Sequence, residues 1–408
     1  MPFPAFIMKY ITMLNCKMMR EEINMKDFSA EVHGCHRYDA TGAITEPIYL
    51  SATFRHPAFR QSTGYDYGRM ANPTRSVLEQ TVALLEGGER AWALSSGMAA
   101  INLVFSLCTA GDHVLLSEDI YGGTVRLTNE IYAKYGIDFE YIDTRDAALV
   151  RAKMRPATKM VFIETPSNPM MFVTDIRALA DIAHEGGALL VADNTFLSPH
   201  FQKPLVLGAD IVLESGTKYL CGHNDIICGF IAVKEDGSDL AERIEFLVKS
   251  EGPNLSTMDA WLMLRSIKTL GVRIERQAQS ALTISEWLGT LPEVTEVFYP
   301  GLPDHPGHEL QKSQCTGFGG MISFKVQTPE IAQKCLAHLK FIAFAESLGG
   351  VESLLTYPLV QTHAEMPAEL IRRTGLDSRL LRLSVGIEDV DDIEEDLAQA
   401  LRAAARER

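Results

Sequence analysis

Between residues 90 and 233 the sequence alternates short apolar runs with stretches of helical periodicity, and this alternation restricts the possible folds most. The apolar runs are continuous instead of alternating with polar residues: ERAWAL, HVLLS, KMVFIET, GALLVADN, ADIVLES and GFIAV. Continuous runs of this length are typical of parallel strands that are buried on both faces. Intervening helical stretches, such as 97–108 and 176–187, indicate right-handed βαβ crossovers. We therefore predict a large doubly wound α/β domain over residues 75–262.

After residue 262 the pattern changes. A long helical stretch (261–291) is followed by two β-like runs, TEVFYP and GGMISFKV, and by a final acidic helix. These features predict a smaller C-terminal α+β domain over residues 263–408. Residues 1–24 are rich in methionine and differ in composition from everything after them. We expect this segment to be a disordered extension, and we hypothesise that the natural start is Met25.

Charge and cysteine usage exclude several classes of partner. The sequence holds 38 basic and 53 acidic residues, a formal charge of −15, whereas nucleic-acid and anionic-lipid surfaces need clustered Lys and Arg. No apolar run reaches the ~18–20 residues of a membrane span. The seven cysteines form no C-x-x-C pair and the eleven histidines no metal-binding spacing. We expect a cytoplasmic protein with free thiols, no metal site, no nucleic-acid partner and no membrane attachment.

Two polar residues follow predicted buried strands at the point where each strand ends. Lys218 comes after ADIVLES with Ser215 and Thr217 beside it, and Asp193 ends the strand in VADNTF. Open α/β sheets bind ligands at the carboxyl ends of their strands. A lysine there can form a Schiff base with an aldehyde cofactor, and an aspartate can pair with a protonated pyridine nitrogen. Each residue alone is better explained as a surface lysine or a turn aspartate, but the two end consecutive strands of one sheet.

The segment SSGMAA (95–100) joins the end of a predicted strand to a helix that starts at about Gly97. Backbone N–H groups at a helix start, with serine side chains beside them, form an anion site that suits a phosphate. The segment is neither a Rossmann nor a Walker loop, and GFGGM (317–321) precedes a strand instead of following one. An anion site, a carboxylate and a lysine on one sheet together outline a pyridoxal phosphate site.

These segments resemble the cystathionine γ-synthase/γ-lyase family, the Cys/Met metabolism enzymes of pyridoxal phosphate fold type I. The resemblance runs from about residue 30 to the end, and its segments occur in the family's order: YDYGRMANPTRSVLE (65–79), SSGMAA, DIYGGT (119–124), ETPSNP (164–169), VADNTF, SGTKYL with GHND, ESLGGVESL (346–354) and RLSVGIE (382–388). It implies a fold type I transferase, with a mostly parallel sheet between helices and a smaller C-terminal domain. It also implies an N-terminal arm (25–74) that contacts a neighbouring subunit, and a homotetramer, a dimer of dimers with shared active sites.

The resemblance assigns roles to the cofactor-binding residues. Lys218 would bind pyridoxal 5'-phosphate covalently and then act as the catalytic base, and Asp193 would bond the ring nitrogen. The other cofactor contacts would be Tyr121 stacked on the ring, Asn168 near the ring oxygen, Gly97, Met98, Ser215 and Thr217 at the phosphate, and Tyr67 and Arg69 reaching that phosphate from a neighbouring subunit.

Substrate residues are also implied by the resemblance. Arg382 would bind the substrate carboxylate through its planar fork, aided by Ser347. Glu346 heads ESLGG as it does in γ-synthases and γ-lyases, whereas the family's β-lyases usually carry a Trp nearby. Methionine γ-lyases usually have Cys where this chain has Gly123. These features favour γ-chemistry on a substrate other than methionine.

The resemblance leads us to expect γ-replacement, in which O-acetyl- or O-succinylhomoserine and L-cysteine give L-cystathionine for methionine biosynthesis. Residues 41–56 and 355–367 look more like bacterial γ-synthases that also act as O-acylhomoserine thiol-lyases. Cystathionine γ-lyase and O-acylhomoserine sulfhydrylase stay open as alternatives, because residues 249–262 depart from the family's usual pattern. A catalytically silent binding protein on the same fold is disfavoured because Lys218, Tyr121 and Arg382 are all present.

Overall fold

A seven-stranded sheet forms the larger part of the fold in this computed structural model, which describes residues 25–36 and 40–407. The expectation for residues 1–24 therefore lies outside the described residues. The strands are β1 (Arg90–Leu94), β2 (His113–Ser117), β3 (Asp138–Ile142), β4 (Thr158–Glu164), β5 (Leu189–Asp193), β6 (Ile211–Glu214) and β7 (Gly229–Val233). Their spatial order is β1-β7-β6-β5-β4-β2-β3.

Parallel pairing joins β3, β2, β4, β5 and β6, as the continuous apolar runs predict. The exception is β7, which pairs antiparallel with both β6 and β1. A parallel neighbour needs a crossover, usually a helix, but the 215–228 connection between β6 and β7 contains none. The sequence analysis also missed β3, an edge strand with an exposed or partly exposed side chain at four of its five positions.

Helices cover both faces of this sheet. They are α1 (Asp27–His33), α2 (Pro73–Glu86), α3 (Gly97–Phe105), α4 (Gly122–Glu130), α5 (Ala147–Lys153), α6 (Ile176–Glu185), α7 (Ser198–Phe201), α8 (Pro204–Leu207), α9 (Asp239–Glu251) and α10 (Thr257–Ile267). Alternate residues of a strand enter different apolar clusters: Phe162 packs with Phe105 and Trp92, whereas Val161 and Ile163 pack under α6. Burial on both faces explains why the strand sequences are apolar without alternation.

A second sheet of five strands follows residue 262. Its elements are α11 (Leu270–Leu288), β8 (Val294–Phe298), α12 (His308–Gln314), β9 (Met321–Val326), α13 (Pro329–His338), β10 (Ala343–Phe344), β11 (Leu354–Thr356), α14 (Ala368–Thr374), β12 (Leu380–Ser384) and α15 (Val390–Arg406). The strand order is β10-β11-β12-β9-β8, antiparallel except between β10 and β11. One apolar cluster joins this sheet to α11, α13 and α15. The sheet matters for the site because β12 carries Arg382.

The predicted continuous helix over 261–291 is instead the pair α10 and α11, which break at Lys268–Thr269. At the break, the carbonyl oxygen of Ser266 accepts the Thr269 N–H at 3.1 Å and a hydrogen bond from the buried guanidinium of Arg273 at 3.1 Å. The same guanidinium donates to Tyr219 O at 2.8 Å.

Two further findings bear on the sequence expectations. No helix among the described residues is long and apolar enough to cross a membrane. Cys35 is disulfide-bonded, so the expectation of free thiols is wrong at that position, whereas Cys108, Cys221, Cys228, Cys315 and Cys335 are free.

Candidate active site

The candidate site lies at the carboxyl ends of β4, β5 and β6. Glu164, the last residue of β4, pairs in register with Asp193, the last residue of β5, and Lys218 follows four residues after β6. The sequence analysis predicted this edge for Asp193 and Lys218 because carboxyl ends of neighbouring parallel strands meet. The structure brings both residues there.

Lys218 is partly buried, and its Nζ donates a hydrogen bond to Ser347 Oγ at 3.0 Å. Burial, and then the positive charge of Arg382, lower the pKa of Lys218 to about 8. No carboxylate lies within 4.0 Å of the ammonium in the described part of the chain. A substantial fraction of this amine is therefore neutral near pH 8, as a nucleophile or a proton acceptor must be.

Asp193 is buried, and its Oδ1 accepts hydrogen bonds from the N–H (3.0 Å) and Oγ1 (2.6 Å) of Thr195. Burial raises the pKa of Asp193 to about 6, against the lowering effect of these hydrogen bonds. A cation placed against the carboxylate would reverse that penalty. The carboxylate thus suits a protonated ring nitrogen, which is what the sequence analysis predicted for it.

Glu164 is a second buried carboxyl group at this edge, and the sequence analysis missed it. Its Oε2 accepts the backbone N–H of Tyr121 at 3.0 Å. Burial, and then the neighbouring Asp193, hold the pKa of Glu164 well above its usual range. The rule that found Asp193 could have found Glu164, because it also ends a buried apolar run, KMVFIE.

The predicted anion site forms where α3 begins. Ser96 caps the helix by accepting the N–H of Ala99 at 3.0 Å. A Cβ at Gly97 would lie 2.9 Å from the Cβ and Oγ of Ser215, so only glycine lets the helix start approach the loop that leads to Lys218. Thr217, also predicted beside the phosphate, is hydrogen-bonded to Cys228: its Oγ1 accepts the Cys228 N–H at 3.0 Å.

Tyr121 directly precedes α4, and both its ring and the side chain of Met98 lie close to Gly123. A Cβ at Gly123 would lie 2.4 Å from Tyr121 Cε1 and 2.9 Å from Met98 Sδ. Any larger residue at position 123 would therefore have to displace the ring of Tyr121 or the side chain of Met98.

Arg382 lies on β12 and is 1% exposed. Its Nη1 donates to Asn168 Oδ1 at 2.6 Å, and its Nη2 donates to Ser347 O at 3.1 Å and Thr356 Oγ1 at 3.3 Å. Its Nε is buried and has no hydrogen-bond partner in the described residues, and burial lowers the pKa of Arg382 to about 10. A buried cation with an unused donor is suited to bind a carboxylate.

Ser347 lies between the two cationic residues of the site. It contacts Lys218 through Oγ and Arg382 through its carbonyl oxygen. Its φ is +97°, a region that side chains other than glycine rarely adopt. The loop that carries Ser347 therefore keeps a costly backbone conformation that places it between the two cations.

Three predicted residues have exposed side chains. Tyr67 and Arg69 are exposed, with the Arg69 guanidinium 5.6 Å from the Tyr67 ring centroid and hydrogen-bonded to Lys249 O. Glu346 is exposed, but its charge acts on both Lys218 and Tyr121. The structure does not bring Tyr67 and Arg69 into the site of their own chain.

The sequence was compared with family models and with known proteins to find which family this chain belongs to. The family model described as "Cys/Met metabolism PLP-dependent enzyme" matches residues 29–402. This chain belongs to that family. Pyridoxal phosphate is therefore the cofactor, and the residues present fit it: a helix start with an adjacent serine, a buried carboxyl group, and a lysine amine that is partly neutral.

Members of the family with different reactions are similarly related to this chain. Bacillus subtilis cystathionine γ-lyase is 47% identical, covering 92% of this chain and 99% of that protein. Cystathionine β-lyase of the same organism is 45% identical (92% and 96% covered), and its cystathionine γ-synthase/O-acetylhomoserine (thiol)-lyase is 45% identical (89% and 92% covered). The crystal structure of Lactobacillus plantarum cystathionine γ-lyase complexed with L-serine superposes with a TM-score of 0.91 at 42% identity, covering 93% and 100%.

These similarities establish a pyridoxal-phosphate-dependent enzyme of the cystathionine γ-synthase/γ-lyase/β-lyase group with fold type I architecture. Identities within two percentage points of one another do not select one reaction.

Proposed function

We propose that this enzyme catalyses γ-replacement, joining O-acetyl- or O-succinylhomoserine to L-cysteine to give L-cystathionine. The observation that carries this proposal is the arrangement around Ser347, which contacts the buried Arg382 on one side and the Lys218 amine on the other. An amino acid whose carboxylate binds Arg382 would hold its Cα next to that amine. Methionine biosynthesis and a cytoplasmic location remain predictions from the sequence.

Each side chain has a specific task in the proposed reaction. Asp193, Ser215 and the start of α3 would hold the cofactor, and Tyr121 and Asn168 would contact its ring. When bound, pyridoxal phosphate supplies an electron sink that makes the Cα–H bond of an amino acid acidic. The neutral amine of Lys218 would remove the Cα proton and, after passing it on, one Cβ proton. The acyl group would leave Cγ as a carboxylate, and the cysteine sulfur would bond to Cγ as it loses its thiol proton. Protons would return to Cβ and Cα, so the net products are cystathionine and the free acid.

Glu346 supports a second amino acid as the reaction partner. Its exposed carboxylate acts electrostatically on Lys218 and Tyr121, so it lies at the open side of the site. A carboxylate at that place suits the ammonium group of an incoming cysteine. The same ammonium is present in cystathionine, so Glu346 supports both the formation of cystathionine and its cleavage.

Cystathionine γ-lyase activity is the second candidate, and a specific observation favours it: the γ-lyase of Bacillus subtilis is 47% identical to this chain. Cleavage would use the same Lys218 and Arg382: L-cysteine would leave from Cγ, and water would then complete the release of 2-oxobutyrate and ammonia. The sulfhydrylase alternative differs only in using sulfide instead of cysteine.

We further propose a homotetramer in which Tyr67 and Arg69 complete the phosphate site of a neighbouring subunit. Support comes from the N-terminal arm, predicted as residues 25–74, where Ile44, Leu50 and Phe59 are 71%, 72% and 89% exposed. Large apolar side chains exposed together on one segment are typical of an interface. Sedimentation of the purified protein measures the assembly, and a stable monomer with full activity would contradict it.

Product analysis with purified enzyme tests the reaction. We expect each acylhomoserine plus cysteine to give cystathionine and free acid, faster than cystathionine alone gives 2-oxobutyrate. The Lys218→Ala variant is the matched control and should give neither product. Rapid 2-oxobutyrate release from cystathionine, without acylhomoserine consumption, would replace this proposal with the γ-lyase reading.

A further inference from the structure

His363 is a buried residue of the C-terminal region that the proposed reaction does not use. It lies just after the 3-10 turn Pro358–Val360 and is 1% exposed. The segment that carries it touches the start of α4, because a Cβ at Gly122 would lie only 2.2 Å from Thr362 O. The main chains of two regions that each contribute to the site therefore meet at His363.

The hydrogen bonds of His363 determine which ring nitrogen carries the proton. Nε2 lies 3.0 Å from Asn168 O, and Nδ1 lies 2.8 Å from Thr362 Oγ1. The carbonyl oxygen of Ile120 also faces the ring as an acceptor. A carbonyl oxygen can only accept, so Nε2 is the donor. In the neutral ring Nδ1 then accepts the hydroxyl hydrogen of Thr362.

The ring is neutral because of its surroundings. Burial, and then the positive charge of Arg382, lower the pKa of His363 to about 4. A charged imidazolium next to the buried guanidinium would be costly, and a neutral ring still donates from Nε2. His363 can therefore act as a hydrogen-bond donor without adding charge to the site.

Asn168 connects His363 to the substrate-binding arginine. Its carbonyl oxygen accepts from His363, its N–H donates to Glu164, and its Oδ1 accepts from Arg382 Nη1 at 2.6 Å. The Asn168 main chain is therefore fixed at its carbonyl by His363 and at its N–H by Glu164, and the position of the Asn168 side chain depends on both contacts. Loss of one of these contacts would let Asn168, and with it the guanidinium, shift.

We propose that His363 is a positioning residue for Arg382: its Nε2–H fixes the Asn168 main chain, and Asn168 Oδ1 aims the guanidinium at the substrate carboxylate. This inference rests on the proposed function, which assigns the carboxylate to Arg382. It predicts an effect on ligands that have a carboxylate and none on amines that lack one.

Equilibrium binding to the holoenzyme tests this role without turnover. L-Alanine and its decarboxylated analogue ethylamine are titrated separately, and the change in the cofactor absorbance gives each Kd. We expect His363→Leu to weaken alanine binding about tenfold and to leave ethylamine binding unchanged, since one positioning hydrogen bond is lost. His363→Gln is the matched variant and should bind alanine nearly as the parent does, because its amide nitrogen reaches the position of Nε2.

The Arg382 and His363 variants test the carboxylate role of Arg382 and the positioning role of His363 separately. If Arg382→Ala leaves the ratio of the alanine and ethylamine Kd values unchanged, the assignment of Arg382 to the carboxylate fails. If Arg382→Ala changes the ratio but His363→Leu does not, only the role of His363 fails. A His363→Gln variant as weak as His363→Leu would also overturn the hydrogen-bond role.

A measurement on the unaltered protein covers the case in which His363→Leu does not fold. Imidazole ¹⁵N chemical shifts of the apoprotein report charge and tautomer directly. We expect a neutral ring protonated at Nε2 from about pH 5 to pH 8. A charged ring, or a proton on Nδ1, would overturn the inference.

Discussion

Two regions of this enzyme differ in whether their buried ionisable groups are paired with an opposite charge. At the candidate site, Lys218, Asp193 and Arg382 have no oppositely charged group within 4.0 Å in the described part of the chain. Where α1 packs on the fold, Glu31 is 3% exposed but lies 2.6 Å from His200 Nδ1 and accepts the N–H of Gly271 at 2.8 Å.

The direction of the pKa shifts follows this difference. At the site, burial lowers the pKa of Lys218 to about 8 and raises that of Asp193 to about 6, so each charged form is disfavoured. Beneath α1, the pKa of His200 is raised, because hydrogen bonding and charge from Glu31 outweigh the opposing effect of burial. In these two regions the unpaired buried charges lie at the candidate ligand site, and the paired ones form a structural contact.

The largest expected effect is at Lys218. Lys218→Ala should lower activity at least about a thousandfold and remove the visible absorbance of the lysine–cofactor linkage. Lys203→Ala is the matched control, because Lys203 is paired with Asp27 and should keep both properties. Retention of the absorbance band together with turnover in Lys218→Ala would contradict the assignment of the site.

Asp193→Asn tests whether the Asp193 carboxylate binds the cofactor or only stabilises the turn through its hydrogen bonds to Thr195. Asparagine keeps an oxygen that can accept from Thr195 N–H and Oγ1, so the free energy of unfolding should change little. Activity should fall about a hundredfold to a thousandfold because the negative charge is lost. Near-normal kcat/KM in this variant would show that Asp193 is a structural turn residue.

Glu31→Gln addresses the paired region. Removing one partner of a buried pair should lower the free energy of unfolding by about 3 kcal/mol, measured by denaturant titration. Glu275→Gln is the matched control, since Glu275 faces the same imidazole at 3.4 Å but is 53% exposed, and should cost less than about 1 kcal/mol. If both substitutions lower the free energy of unfolding equally, the buried Glu31–His200 pair is not a special structural contact.

The smallest expected effect is the pH dependence that His200 contributes. Because its folded pKa is raised, the stabilisation is fully present below its unfolded pKa, about 6.5, and is lost as pH rises through the folded pKa. The stability difference between the parent and His200→Gln should therefore shrink by about 1 kcal/mol above that range. Thermal unfolding of both proteins from pH 6 to pH 9 measures this stability difference. A difference that grows with pH would contradict a raised pKa of His200 in the folded state.

Much of the cofactor sheet could be predicted because burial on both faces produces a local pattern. Continuous apolar runs predict β4, β5 and β6, and their carboxyl ends locate Asp193 and Lys218. The edge strand β3 lacks such a run and escaped notice, and the antiparallel direction of β7 depends on a connection without a helix. His363 also escaped notice, because its partner Asn168 lies 195 residues away.

The sequence by itself determined the family, the cofactor and the strand ends at which Lys218 and Asp193 lie, because these depend on local pattern and on motif order. Only the tertiary structure decided that Ser347 lies between Lys218 and Arg382, residues 129 and 35 positions from it in the chain. It also decided that burial changes the ionisation of Lys218, Asp193 and Arg382. Desolvation comes from atoms contributed by distant segments, so no local stretch of sequence contains it.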